Sequence, residues 1–128
     1  MGKKRASLAE IIARKQQGKM DKLQVKYYDS ETLEMQIEIR KIPLKKYMVL
    51  IESLDDEGSI EGMNKIIYEC CSMFKNNAKE AMEVYKVAEP TDLPSAVLED
   101  QLNEMQDICE IINGFYGLDK IDAETVKN

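Results

Sequence analysis

The chain has 128 residues, is 44% hydrophobic and 33% charged, and carries a formal net charge of −6. That length suits one domain with one core, burying roughly two-thirds of the surface of the unfolded chain. The longest apolar run, 47–51, is too short for a membrane span, and the absence of histidine and of any C-x-x-C argues against structural zinc.

Charge is unevenly spread. Residues 1–47 hold 12 Lys and Arg against 6 Asp and Glu, and residues 48–128 hold 6 against 18. An acidic body repels nucleic acid and suits a basic protein partner, although solubility alone also explains it. Lys3, Lys4 and Arg5 are followed by no apolar stretch, so no secretory signal is expected. Ala6 stands where a myristoylation motif wants Ser or Thr. A cytoplasmic protein is expected. Cys70, Cys71 and Cys109 occupy apolar positions of predicted helices, as reduced thiols in a core do.

Ser7 and Glu10 match a capping box, and Gly18 suits a stop, so a helix is predicted from Leu8 to about Gln17. Its apolar face is only Leu8, Ile11 and Ile12. So short a helix is marginal in water, and 1–20 is expected to be a mobile arm or to order against a partner. Three apolar residues give weak membrane anchorage. No aromatic residue lies near Lys3, Lys4 and Arg5 to support nucleic-acid binding.

The stretch LQVKYY, turn residues at 29–32 and the alternating LEMQIEIR predict a β-hairpin over 22–41. Leu33, Met35, Ile37 and Ile39 share its apolar face. Its free edge could be simply solvated or could take a partner strand. Pro43 suits a helix start, and Leu44, Tyr47, Met48, Ile51 and Leu54 form an inward face up to a break at 55–58. That acidic break lacks the ligand spacing of an EF-hand.

The central stretch is IEGMNKIIYECCSMF, residues 60–74. Ile60, Met63, Ile66, Ile67, Cys70, Cys71 and Phe74 recur at helical spacing over a wide arc, which places this helix deep in a bundle. Glu61, Asn64, Lys65 and Glu69 are left for the watery rim. Asn76 and Asn77 break the pattern, and 78–86 reads as a short helix. A Pro-rich connection with a cap at Thr91 or Asp92 leads into a last helix over 93–114. Leu98, Leu102, Met105, Cys109, Ile112 and Tyr116 form a stripe of about 27 Å at roughly 1.5 Å per residue. Packing within the chain is the favoured use of the stripe, and a self-association seam is the alternative. Gly114 is the expected cap. Phe115, Tyr116 and Leu118 are candidate partner contacts, together with Leu8, Ile11 and Ile12. The tail 119–128 is mostly polar and expected to fray.

The expected fold is mainly α, a small helical bundle with an N-terminal β-hairpin (α+β). An arm over 1–20 precedes one globular domain over 21–118, with helices at about 43–54, 59–75, 78–86 and 93–114. Without histidine there is no conventional Ser-His or Cys-His pair, and neither a phosphate-binding loop nor a dinucleotide fingerprint occurs. No catalytic, cofactor or metal residue is assigned.

The order of elements resembles one family. The segment Gly18-Lys19-Met20-Asp21-Lys22-Leu23-Gln24-Val25-Lys26 leads into the hairpin, residues 39–47 read IRKIPLKKY, and Ile111-Ile112-Asn113-Gly114 closes the last helix. With a short basic first helix and acidic later ones, this is similar to the tail assembly chaperones of long-tailed phages and PBSX-like prophages, the XkdN-like group. The resemblance spans nearly the whole chain, but its motifs carry no chemistry. It implies a non-catalytic chaperone that binds the tape measure protein, assists assembly of the tail tube protein and is absent from the mature virion. The competing expectation is a small regulatory or adaptor protein of a mobile element that binds nucleic acid.

Overall fold

The computed structural model describes residues 5–20, 24–57 and 59–118. Residues 1–4, 21–23, Gly58 and the tail at 119–128 lie outside these, as do the side chains of Ser53, Asp55, Asp56, Glu57 and Ser59. Among the described residues the fold is a small α+β helical bundle. Helix α1 (Leu8–Gln16) precedes an antiparallel hairpin, β1 (Val25–Ser30) and β2 (Met35–Arg40). Helices α2 (Leu44–Glu57), α3 (Ser59–Cys70), α4 (Ala78–Tyr85), α5 (Leu93–Val97) and α6 (Leu102–Phe115) follow, with single 3₁₀ turns at Ser72–Phe74 and Pro90–Asp92.

Helix α3 is the centre of the bundle. It packs against α2, α5, α6 and both 3₁₀ turns. Ile66, Ile67, Cys70, Cys71 and Phe74 are all buried, as their spacing predicts. Two positions differ from expectation. Ile60 is 46% exposed, at the first turn of the helix. Asn64, expected at the rim, is buried, and its amide is used in full: it donates to Ser95 Oγ at 3.0 Å and accepts from the Ser95 N–H at 2.8 Å. A buried amide of this kind is tolerated because both its groups are paired. Gly62 explains how closely α2 and α3 approach. A Cβ built there would collide with Leu54 Cδ2 and lie 2.9 Å from Leu54 Cγ and 3.1 Å from Leu54 Cα. Only a hydrogen fits at that crossing.

In the hairpin, Val25 pairs with Arg40 and Ser30 with Met35 at the two ends of the ladder. Ile37 and Ile39 are buried, Leu33 is half-buried, and Met35 is 71% exposed. The alternation is therefore real, but the core covers only part of it. Helix α2 runs to Glu57, past the break expected at 55. Its Tyr47 is buried, whereas Leu44 and Met48, expected inside, are exposed.

The predicted helix over 93–114 is two helices. Glu99 and Asp100 take left-handed conformations, with φ of 53° and 59°. The Asp100 N–H donates to Ser95 O at 2.8 Å and the Glu99 N–H to Ala96 O at 3.1 Å, which closes α5 in a Schellman-like turn. The new start of the helix turns its buried face onto Met105, Ile108, Ile112 and Phe115. Leu98, Met105 and Ile112 of the predicted stripe are buried within the chain, Leu102 is exposed, and Cys109 and Tyr116 are half-buried. The helix ends at Phe115, and Gly117, not Gly114, supplies the left-handed residue, with φ of 75°.

Candidate functional site

The six candidate contact residues fall into two settings. Helix α1 forms as its capping box predicts, with the Glu10 N–H donating to Ser7 Oγ at 3.5 Å. It buries none of its residues. Leu8, Ile11 and Ile12 are 73%, 44% and 48% exposed, and Arg14 and Lys15 occupy its last turn. Ile11 and Ile12 share a shallow apolar hollow of about 310 Å³ with Met20 and Gln24. A helix with an uncovered apolar face gains little from its own chain and has most to gain from another surface.

Phe115, Tyr116 and Leu118 sit against the body. Phe115 is buried. Tyr116 stacks on Tyr47 with ring centroids 4.1 Å apart and planes 9° apart. Its hydroxyl donates to Ile42 O at 2.7 Å and accepts from the Ile42 N–H at 3.0 Å, while the Tyr47 hydroxyl donates to Asn113 Oδ1. Lys26 and Lys41 lie 5.0 Å and 5.4 Å from the centres of the Phe115 and Tyr116 rings. These two aromatics hold the end of α6 onto the hairpin exit and the start of α2. Leu118, half-buried, helps line a groove of about 390 Å³ between α2, α3 and α6, with Met48, Ile51 and Met63.

The chemically loaded residues are structural in their geometry. Glu104, absent from the predicted apolar stripe, is buried in the first turn of α6. Its carboxylate accepts from Ser30 Oγ at 2.6 Å, the Thr32 N–H at 3.1 Å and the Thr32 hydroxyl, so it ties the hairpin turn to the helix. Burial pushes this carboxyl up, but the bonds from Ser30 and Thr32 outweigh burial and hold it below the usual carboxylate range. The Tyr28 hydroxyl donates to Asp107 beside it at 3.2 Å, and burial together with the negative Glu104 and Asp107 pushes that phenol up. Glu69 is held down against its burial by Lys46 at 2.8 Å and Lys75 at 2.9 Å. Burial pushes the Cys70 and Cys109 thiols up to about 12 and Cys71 higher still. Thiols so raised stay protonated at neutral pH and are poor nucleophiles.

One surface was not legible in the sequence. Ile60, Tyr85 and Val87 contribute apolar surface to a hollow of about 630 Å³ bounded by α3, the end of α4 and α5. Glu61, Asp92, Glu99 and Asp100 line it against a single lysine, Lys86. These residues lie up to 40 positions apart, and the turn at Glu99 and Asp100 that brings them together carries no Gly or Pro signal. Among the described residues no three His, Cys, Asp or Glu side chains group as a metal site, and no described helix is long and apolar enough to cross a membrane. No protein-family model, no curated protein and no solved structure matches this chain.

Proposed function

We propose that this chain is a non-catalytic tail assembly chaperone that binds a tape measure protein and assists assembly of the tail tube. The observation that supports the reading is α1: an amphipathic helix that buries nothing and offers Leu8, Ile11 and Ile12 beside Arg14 and Lys15. The resemblance of the sequence to tail assembly chaperones supplies the class of client. Apolar helical segments of a tape measure protein aggregate unless covered, and helix-on-helix contact through spaced apolar anchors is a common way to cover them. The structural use of Glu104 and the raised thiols fit a protein that binds without catalysis.

Co-expression with a tape measure protein encoded beside this gene tests the proposal, and a gene with no such neighbour counts against it. The tape measure protein should become soluble and co-purify with this chain. A client that stays insoluble and unbound contradicts the proposal. The adaptor reading has one observation in its favour, the exposed Arg5, Arg14, Lys15 and Lys19 on and around α1. Retention on DNA that falls steeply with rising salt would favour it instead.

A further inference from the structure

We propose that α1 of one copy docks into the acidic hollow between α3, α4 and α5 of a second copy. Each surface has what the other lacks. The lining of the hollow includes Ile60 and Tyr85, 46% and 38% exposed, together with four carboxylates and one lysine. Helix α1 has three exposed apolar side chains, and the segment around it carries Arg5, Arg14, Lys15 and Lys19 against one acid, Glu10. Burying the apolar groups face to face removes both from water, and the ring of opposite charge selects the partner and its orientation.

The sizes agree. A helix of 9 residues is about 14 Å long, and the hollow of about 630 Å³ is the roomiest of the three described above. Its acidic wall is also fixed in place. Glu99 and Asp100 sit in the hydrogen-bonded turn that ends α5, and Asp92 stands at the start of that helix. No residue of α1 is among the described lining of the hollow within one chain, so the proposed contact is one between copies. The two surfaces differ, so a closed pair exchanges both arms. The same face of α1 is the proposed client contact. That a client would displace the second copy rests on the chaperone reading; the self-association itself does not.

Sedimentation velocity on the full chain tests this, from about 10 μM to about 1 mM, the range in which a contact of this size is populated. The wild type should associate, and the association should weaken tenfold or more between low and high salt, because exposed charges are screened over about 10 Å at 0.1 M. Arg14→Glu with Lys15→Glu should give a monomer. Glu61→Lys with Glu99→Lys should do the same, and lysine suffers no more than glutamate from the left-handed backbone at 99. Mixing the two variants should restore association, since the reversed charges match again. Thermal melts of each variant establish that both remain folded. A wild type that stays monomeric throughout overturns the proposal, as does association that survives either pair of reversals, or a folded mixture that does not associate. A monomer that still binds the tape measure protein overturns only the self-association, and a dimer that does not bind it counts only against the chaperone reading.

Discussion

Replacing Glu104 with alanine should destabilise the fold by about 3 to 5 kcal/mol, from three hydrogen bonds to a charged acceptor at roughly 1.5–3 kcal/mol each before non-additivity. The loss arises at the junction of hairpin and helix. Ser30 is 4% exposed and bonds Glu104 at 2.6 Å, so removing the carboxylate leaves a buried hydroxyl short of its acceptor. The Thr32 N–H, at 3.1 Å, loses its partner as well. The same carboxylate makes stability depend on pH. Its value in the folded chain lies below the usual one. Its contribution is therefore complete above the unfolded value of about 4.3 and is lost as pH falls through the lower folded value. Urea unfolding at neutral and acidic pH should show a large gap between the wild type and Glu104→Gln at pH 7 that narrows below about pH 4. A Glu104→Ala variant of wild-type stability would mean that the latch contributes nothing.

Ile67→Ala should cost about 2–5 kcal/mol, the range for truncating a fully buried aliphatic side chain. Ile67 is 0% exposed on α3, the helix against which α2, α5 and α6 all pack. With α2, α5 and α6 all packed on α3, a void on this helix is not closed by moving one of them. For a chain of this length the melting temperature should fall by roughly 4 °C per kcal/mol. An unchanged melting temperature would contradict the placement of α3 at the centre.

What could be read from the sequence follows from how local the governing physics is. The capping box at Ser7 and Glu10, the strand alternation at Ile37 and Ile39, and the helical spacing of Ile66, Ile67 and Cys70 are all local patterns, and each matches its element, although α3 ends at Cys70 rather than near 75 and Phe74 lies in the 3₁₀ turn that follows. The turn between α5 and α6 was not legible, because Glu99 and Asp100 adopt left-handed conformations without the glycine that usually announces one. Missing that turn left the predicted stripe only partly on the buried face: Met105 and Ile112 lie on it, Leu102 is exposed, and Ile108, Phe115 and Glu104 were not counted among the inward residues. The burial of Asn64 depends on Ser95, 31 residues away, and no local pattern carries such a pairing. For the candidate contacts, the weak apolar face of α1 was legible because it is short and isolated. The aromatic cluster at the end of α6 read as exposed only because its partners, Tyr47 and Ile42, lie far away in sequence.

The proposed role of α1 as the gripping element of a chaperone is tested by the affinity of the purified chain for a tape measure protein with and without that apolar face. Leu8→Ser, Ile11→Ser and Ile12→Ser together remove the face while touching nothing buried, so the melting temperature should stay within about 2 °C of the wild type. The affinity should fall about 100-fold or more, as expected when three apolar anchors of an interface are lost. A triple variant that binds the client as tightly as the wild type would contradict the account.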